Sequence, residues 1–353
     1  MKVALITDLH FGARQDNIAF DNYFRKFYTE VFFPELEERG IKVIFDLGDT
    51  FDRRKYINFN TLNSCKEYFF DEIAKRGMDL HMIPGNHDTY FKNTNAVNSP
   101  ELLVSKEYEN LYLYQEPEEV IIDGTSILMM PWICGENYER CFEKIKSTNA
   151  DTCFGHFEFE GYDMLPGMVN THGMDPSLFS KFQLVVSGHF HHRHTRGNIT
   201  YMGNPYEITW SDYGDPRGFA IFDTSSRELQ YINNPFRLFH KIYYDDSLSE
   251  GCVADSYDVS QLSGCAVKLI VTKKTDFAKF DAFVDSIYEV NPIEFKILED
   301  FTEFEEEAIG DDIDLEDTMT LLKEYVENVT TDLDKDRIKS LLQALYVEAQ
   351  DIE

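Results

Sequence analysis

Five short polar motifs each follow directly on an apolar, strand-like segment, and this feature constrains the fold more than any other. They are Asp8-Leu9-His10, Gly48-Asp49, Gly85-Asn86-His87-Asp88, Gly155-His156 and Gly188-His189-Phe190-His191. Open α/β sheets place their functional residues just beyond the carboxyl ends of strands. The sequence therefore predicts an α/β fold in which these five segments meet at one polar site.

The first 235 residues alternate strand-like and helix-like patterns before strands and hairpins take over. Amphipathic helices are predicted over 18–38 and 60–75, because apolar residues recur there at helical spacing. Asp123-Gly124 between two apolar runs predicts a hairpin. The predicted strands are 3–7, 42–47, 79–83, 120–122, 126–130, 153–155, 184–187, 199–202, 219–222 and 229–232. This order favours two sheets packed face to face, with helices outside, as one domain over 1–235.

The pattern restarts after residue 235. Residues 236–298 predict a small α/β domain, with strands at 266–271 and 295–298 around a helix at 277–288. Residues 299–317 hold eleven carboxylates and no Lys or Arg, which predicts an acidic linker.

A helical hairpin is predicted over 318–353. Its apolar stripe includes Leu321, Leu322, Tyr325, Leu341, Leu342 and Leu345. The stripe either folds onto the protein's own core or docks on a partner. A flexible linker favours the partner, because it detaches the helices from the body while keeping them close to a tethered protein.

Composition excludes a membrane protein. No apolar run is long enough to span a bilayer, and the first residues predict a strand rather than a secretory signal. The six cysteines lie far apart without a CxxC pair, which is typical of reduced thiols in a cytoplasmic protein.

The five motifs combine carboxylate, imidazole and one amide oxygen. Such a set suits divalent manganese, iron or zinc, whereas the lack of cysteine argues against a structural zinc site. Each motif alone is weak evidence, but five of the ten histidines in the chain fall within them. We therefore interpret them together as a metal site.

The order of these motifs resembles that of the calcineurin-like metallophosphoesterases. The resemblance implies a four-layer α-β-β-α sandwich that binds two divalent metal ions, Mn²⁺ by preference and Mg²⁺ as the alternative. It also implies that Asp49 is shared between the ions. One ion would bind Asp8, His10, Asp49 and His191, and the other Asp49, Asn86, His156 and His189. His87 would donate a proton to the leaving oxygen while Asp88 orients its ring; alternatively, both only support the ligands.

Within this superfamily the chain is similar to the SbcD-type (Mre family) nucleases, and most of all to members encoded by T-even bacteriophages. The similarity lies in residues 48–52, in the stretch 202–219 and in the order of the downstream segments. It implies a 3′–5′ exonuclease on duplex DNA and an endonuclease on single strands, acting in double-strand-break repair and recombination. Residues 236–298 would then cap the DNA, and the terminal helices would bind an SMC-type coiled-coil ATPase.

The net charge of −31 bears on how such a protein would bind DNA. Phosphate contacts by cations supply most of the affinity for DNA, so we expect weak binding without a partner. The candidate DNA contacts are the basic residues beside the motifs, Arg53, Arg54, Lys55, Arg193 and Arg196.

The resemblance also implies a homodimer. The candidate surface is the apolar face of the helix over 60–75, namely Leu62, Tyr68, Phe69 and Ile73. A buried core face is the alternative interpretation.

Two rival functions stay open at this point. Asp52-Arg53 is similar to the D-R pair of protein phosphatases, which keeps a protein or nucleotide phosphatase as the alternative. A non-enzymatic scaffold is disfavoured, because all seven candidate ligands are present. His192 and His194 are expected to be exposed without a role. Asp46 and Asp52 have no assigned role, and Asp52 stands where several archaeal family members carry a histidine.

Overall fold

The computed structural model describes residues 1–247 and 252–299, together with Lys335. In chain order the strands of the first half are β1 (Lys2–Ile6), β2 (Val43–Asp46), β3 (Asp79–Met82), β4 (Thr89–Phe91), β5 (Thr94–Asn98), β6 (Leu111–Leu113), β7 (Glu118–Ile122), β8 (Thr125–Met130) and β9 (Thr152–His156). The later strands are β10 (Asp163–Leu165), β11 (Met168–Val169), β12 (Leu184–Gly188), β13 (His194–Arg196), β14 (Ile199–Tyr201), β15 (Gly218–Asp223), β16 (Leu229–Asn233), β17 (Phe239–Asp245), β18 (Ala266–Lys273) and β19 (Glu294–Leu298).

Two long helical stretches precede and follow β2, as predicted. A four-residue turn, Ala13–Asp16, has left-handed φ angles at its last three residues. The α-helices that follow are α1 (Ile18–Phe27), α2 (Phe33–Glu38), α3 (Phe59–Cys65), α4 (Asp71–Lys75), α5 (Ser99–Leu103), α6 (Tyr138–Ser147) and α7 (Phe277–Glu289). One π turn, Tyr28–Phe32, joins α1 to α2, and a second, Lys66–Phe70, joins α3 to α4. Single 3₁₀ turns occur at Pro176–Phe179, Trp210–Asp212, Val253–Asp255 and Val259–Leu262.

Two six-stranded sheets form the body of the molecule. The first has the order β16-β15-β1-β2-β3-β6 and the second β13-β14-β12-β9-β8-β7. In the first sheet, β1, β2, β3 and β6 run parallel. β15 pairs antiparallel with β1, and β16 pairs antiparallel with β15. In the second, β8, β9, β12 and β14 run parallel. Parallel strands end at one edge of their sheet, which is where the polar motifs lie.

The inner faces of the sheets share one apolar core. Leu5 and Phe45 from the first sheet belong to the same buried cluster as Met129, Phe154 and Val186 from the second. On its outer face the second sheet packs against α6, in a separate cluster. The four-layer α/β architecture predicted from the sequence is confirmed.

The other outer layer is an aromatic interface between the two long helical stretches. The rings of Tyr28 and Tyr68 stack with centroids 5.6 Å apart, and Tyr28 contacts Phe69 at 4.8 Å. Tyr68, Phe69 and Ile73 are buried, and Leu62 is half-buried. The proposed dimer face is therefore wrong as placed: it is a core face, because these side chains fill the space above the first sheet.

The small domain predicted over 236–298 has its own three-stranded sheet, β17-β18-β19, covered by α7. Its first strand, β17, was not predicted. Glu207, 1% exposed, ties this domain to the body. Its carboxylate accepts the backbone N–H groups of Leu238 (2.7 Å) and Phe239 (2.9 Å) and pairs with Arg237. The domain bounds at 235 and 298 stay predictions.

Some sequence predictions lie outside the described residues. These are the acidic linker beyond Glu299 and the terminal helices with Leu321, Leu322, Tyr325, Leu341, Leu342 and Leu345. Within the described residues, no helix combines the length and apolarity that crossing a bilayer requires. All six cysteines are buried and free, as expected of reduced thiols.

Candidate metal centre

The five motifs come together where five strands end. Asp8 and His10 follow β1, Asp49 follows β2 and Asn86 follows β3, all neighbours in the first sheet. His156 is the last residue of β9, and His189 and His191 follow β12, the neighbour of β9 in the second sheet. The site therefore lies where the two sheets meet at their carboxyl ends.

The first group of possible ligands is Asp8, His10 and His191. The Nε2 atoms of His10 and His191 lie 3.1 Å apart. Each is within 4.0 Å of Asp8 Oδ1: His10 at 4.0 Å and His191 at 3.8 Å. Three ligand atoms thus face one small volume.

The second group is Asp49, His156 and His189, and Asn86 joins it. Asn86 Oδ1 lies 3.0 Å from His156 Nε2 and 3.0 Å from His189 Nδ1. His156 Nδ1 lies 2.8 Å from the carbonyl oxygen of Leu47, so that nitrogen carries a proton to donate and Nε2 faces the group.

Asp49 connects the two groups. Its Oδ2 lies 3.3 Å from His156 Nε2 and 3.8 Å from His10 Nε2. Its Oδ1 accepts the backbone N–H of His87 at 2.8 Å, which fixes the carboxylate in place. The seven residues predicted as ligands are therefore brought together around Asp49.

The backbone at these residues is held in unusual conformations. The φ angles of Asp8, His10, Asp49 and His189 are 55°, 44°, 56° and 88°. Non-glycine residues adopt positive φ rarely and at a cost, and such strain concentrates at functional sites. The strain turns each side chain sharply at its strand end, toward the shared volume.

Burial and neighbouring charges shift the pKa values of the two central carboxylates in opposite directions. Burial raises the pKa of Asp8, and the nearby Asp49 carboxylate adds to this shift. Burial also opposes ionisation of Asp49, yet the imidazoles of His156 and His87 hold its pKa well below its ordinary value.

The histidines divide into two pairs. Burial disfavours charge on His10 and His156, but the adjacent carboxylates raise the pKa of each to about 9. Burial lowers the pKa of His189 to about 3, and it lowers that of His191 well below the ordinary value. The site thus attracts positive charge while keeping two imidazoles neutral.

These residues fit divalent metal ions. Atoms that each carry a lone pair, such as Asn86 Oδ1 and the nitrogens facing it, meet at 3.0 Å, a contact that only a proton or a cation between them stabilises. Metal ligands must be deprotonated, so a cation would displace the protons that Asp52 and Asp49 favour on His10 and that Asp49 favours on His156. Mixed carboxylate, amide and imidazole ligands suit hard-to-borderline divalent ions.

Comparison with known proteins agrees with this geometry. The family model described as calcineurin-like phosphoesterase matches residues 1–193, more than half of the chain and all five motifs. The chain belongs to the calcineurin-like phosphoesterases.

A relative extends this similarity beyond the phosphoesterase domain. The chain is 29% identical to exonuclease subunit 1 of enterobacteria phage T4 over 355 residues, which cover 99% of each protein. This match confirms the resemblance to SbcD-type nucleases. A solved structure of an archaeal phosphodiesterase is 14% identical and covers 66% of this chain and 100% of its own, with a TM-score of 0.33. A TM-score that low carries no weight here.

One predicted contact in this phosphoesterase site is not formed. Nδ1 of His87 lies 2.6 Å from the backbone carbonyl oxygen of Asp52, so Asp88 does not orient the His87 ring. Asp88 instead accepts the backbone N–H groups of Gly85 (2.9 Å) and Phe51 (3.0 Å). The reason is burial: a fully enclosed carboxylate needs several donors, and the two motif loops supply them.

Asp46 and Asp52, which had no role assigned from the sequence, contact residues of the site. Asp46 accepts the hydroxyl of Thr50 at 2.7 Å and shapes the loop that carries Asp49. Oδ1 of Asp52 lies 3.4 Å from Nδ1 of His10. Both carboxylates therefore support ligands or their loops.

His192 and His194 are half-buried, so the expectation of exposed side chains is wrong. His192 Nδ1 lies 2.9 Å from Asp215 Oδ2. The ring of His194 stacks on that of Tyr201 with centroids 5.1 Å apart. The contact with Asp215 accounts for the position of His192, and packing onto β14 accounts for that of His194.

Three of the predicted DNA contacts are engaged with other protein groups. Arg53 pairs with Asp16 at 3.0 Å, Arg193 donates to Asn233 at 2.8 Å, and Arg196 donates to the carbonyl oxygen of Gly161. Arg54 is half-buried and Lys55 is exposed. All five stay predictions as DNA contacts.

Trp132 is a site residue that the sequence analysis did not identify. Its ring centroid lies 5.4 Å from that of His189 and 6.1 Å from that of His156. Its segment follows β8 at the same sheet edge as His156, a position that could have drawn attention to one of only two tryptophans in the chain.

Proposed function

We propose that this phosphoesterase is a metal-dependent DNA nuclease. The observation that carries the proposal is the joining of two ligand groups through Asp49, because a pair of adjacent cations suits hydrolysis of a phosphodiester. The substrate follows from the full-length similarity to a phage exonuclease subunit. A phosphatase has less support, since Arg53, the basis of that alternative, pairs with Asp16.

In this proposal Asp8, His10, Asp49 and His191 hold one divalent ion. Asp49, Asn86, His156 and His189 hold the other. When bound, such ions supply Lewis acidity toward a phosphoryl oxygen and the attacking water. Mn²⁺ is the expected ion, with Mg²⁺ as the alternative.

His87 is the proposed proton donor to the leaving oxygen. Its Nδ1–H is directed to the Asp52 carbonyl oxygen, which fixes the ring and leaves Nε2 as the nitrogen that would face the substrate. The His87 ring lies edge-on to the His10 ring, with centroids 4.9 Å apart. His87 therefore lies beside the first ligand group. Asp88 acts indirectly, by holding the loops of Gly85 and Phe51.

The finer activity follows the SbcD-type nucleases. We propose 3′–5′ exonuclease activity on duplex DNA and endonuclease activity on single strands, in double-strand-break repair and recombination. Residues 236–298 would cap the DNA, an SMC-type ATPase would bind residues 318–353, and the protein would act as a homodimer. The word "subunit" in the phage relative's name supports a partner. The net charge of −31 does so too, because a partner would contribute cations for DNA.

The test is a cleavage assay on duplex and single-stranded DNA with Mn²⁺, Mg²⁺ or EDTA, with and without the ATPase from the same source. Asp49→Asn should abolish cleavage and Mn²⁺ binding together. His87→Ala should lower cleavage by about a hundredfold or more while Mn²⁺ binding, measured by calorimetry, persists. His172→Ala removes an exposed histidine and serves as the matched control.

Two results would overturn the proposal. One is hydrolysis of phosphomonoesters without cleavage of any DNA, with or without the ATPase, which would indicate a phosphatase. The other is Mn²⁺ binding that survives in Asp49→Asn.

A further inference from the structure

A short hairpin follows the site directly and presents two aromatic rings to solvent. Asp88 leads into β4, the chain turns at Lys92 and Asn93, and β5 returns it. Tyr90 is 42% exposed and Phe91 is 49% exposed. Large apolar side chains exposed side by side next to a site mark a binding surface more often than a random surface position does.

The base of the hairpin is fixed to the site residues. The backbone N–H of Ser99 donates to the carbonyl oxygen of Asp88 at 2.8 Å, and the Ser99 hydroxyl lies 3.2 Å from Asp88 Oδ1. Asn95 donates to the carbonyl oxygen of Trp132 at 2.8 Å. These hydrogen bonds hold the base of the hairpin beside the segments that carry His87 and Trp132.

Charge at the hairpin differs from that of the whole chain. Residues 89–98 contain no carboxylate and one cation, the exposed Lys92, although the chain carries −31 overall. The hairpin is thus a part of the site's border that a polyanion can approach without repulsion from its own residues.

We propose that Tyr90 and Phe91 stack on unpaired bases of a DNA strand whose phosphate lies at the metal centre. This inference rests on the proposed nuclease function. Aromatic rings bind the faces of unpaired bases regardless of sequence, whereas paired bases offer only their edges in the grooves. The hairpin therefore selects single-stranded or frayed DNA.

The reach of the hairpin suits this role. Tyr90 stands three residues after His87, so their Cα atoms are at most about 11 Å apart. A few nucleotides span that distance. The stacked bases would be those next to the scissile phosphate, and stacking would hold that phosphate in register with His87.

The test compares two strands of equal length, one with bases and one made of abasic residues, in the presence of Mn²⁺. The native protein should cleave the base-bearing strand about tenfold to a hundredfold more efficiently, because each stacked base contributes to binding. The Tyr90→Ala/Phe91→Ala variant should cleave both strands at the abasic rate. The exchange variant Tyr90→Phe/Phe91→Tyr keeps both rings and should keep the preference.

A second readout does not depend on cleavage. A strand carrying 2-aminopurine near its end should lose fluorescence on binding the native protein in EDTA, and the loss should disappear in the alanine variant but not in the exchange variant. An alanine variant that keeps both the preference and the fluorescence loss would overturn the inference. If the native protein cleaves neither strand, with or without the ATPase, the nuclease proposal fails instead, and the fluorescence still decides the stacking.

Discussion

At the scale of single residues, the site is built by cross-links between motifs that are far apart in the chain. The backbone N–H of Asp8 donates to the Gly48 carbonyl oxygen, and that of His10 to the Asp49 carbonyl oxygen, both at 2.9 Å. The N–H of His189 donates to the Asp8 carboxylate at 3.1 Å. Each left-handed turn is thus held by its neighbour, which is how a strained backbone persists in a folded protein.

Close approach between loops makes Gly85 irreplaceable. A Cβ at this position would overlap the carboxylate and backbone nitrogen of Asp49. We predict that Gly85→Ala displaces Asp49 and lowers cleavage by about a hundredfold, since a shift of 1 Å in a catalytic group costs about that much. Gly135→Ala is the control, because a Cβ there meets nothing within 4 Å. Equal activity of the two variants would show that the loops separate freely.

The residue types in the motifs made a shared polar site at the strand ends predictable, but not the hydrogen bonds between the motifs. Asp, Asn and His beside glycine at strand ends indicate metal chemistry from sequence alone. That His87 bonds to the Asp52 carbonyl oxygen, rather than to its neighbour Asp88, depends on loop conformation. Trp132 was missed for a similar reason, because a lone aromatic residue carries no motif and only the sheet edge brings it to His189.

His81 gives the folded protein a pH dependence that is independent of the metal centre. Burial lowers the pKa of His81 to about 4, and its Nδ1 lies 2.7 Å from the Tyr114 hydroxyl. The unfolded chain, with a pKa near 6.5, therefore binds more protons between these values. Stability is fully present above about pH 6.5 and is lost as the pH falls toward 4, by at most about 1.4 kcal/mol per pH unit.

The corresponding variant is His81→Gln, which keeps a polar group for Tyr114 but cannot titrate. Its free energy of unfolding, measured with urea, should fall less steeply than that of the native protein between pH 6.5 and 4.5. Other titrating groups cancel in the difference between the two proteins. Parallel curves would mean that His81 is protonated in the folded state.

At the scale of elements, strands and long helices followed from periodicity, whereas irregular ones did not. The helices over 18–38 and 60–75 were predicted, but the π turns within them were not. The apolar residues before and after each π turn have ordinary α-helical spacing, so the sequence gives no sign of the turn. The β4–β5 hairpin was missed as well: residues 89–98 are mostly polar and pair only with each other. The sequence did not decide whether the aromatic face of the helix over 60–75 packs in the core or forms a dimer interface. Both kinds of face are apolar and have similar composition.

A buried carboxylate contributes to the join between β17 and the body. Glu207→Ala would leave the N–H groups of Leu238 and Phe239 without their acceptor. An unpaired buried polar group costs about 1–3 kcal/mol, so we predict that the variant loses about 2–4 kcal/mol of unfolding free energy. Amide exchange should accelerate in β17 and β18 while β1 and β2 stay protected.

Glu289→Ala is the matched control for this variant, since Glu289 is an exposed glutamate of the same small domain. It should change the unfolding free energy by less than about 0.5 kcal/mol. Uniform acceleration of exchange across both sheets in Glu207→Ala would contradict a role confined to the join.

At the scale of the whole molecule, the net negative charge opposes the proposed binding of DNA. The chain carries 64 acidic and 33 basic residues. Of the five basic residues beside the motifs, Arg53 pairs with a carboxylate, whereas Arg193 and Arg196 donate to neutral groups and keep their charge. The excess of acidic residues, rather than pairing of these cations, therefore opposes the approach of phosphates. Changes in composition predict the domain order from the sequence, but which cations face solvent depends on the folded surface.

The net charge of −31 predicts a weak dependence of DNA binding on salt for the isolated chain. A protein that makes six to ten phosphate contacts loses roughly 10³–10⁵ in affinity between 50 and 200 mM salt. The isolated chain should lose less than about tenfold, because stacking and metal coordination are screened little by salt. Fluorescence anisotropy of a labelled single strand, with His87→Ala to prevent cleavage, measures this directly. Adding the ATPase should steepen the dependence if the partner supplies the cations; a steep dependence of the isolated chain would instead place a basic groove on this protein itself.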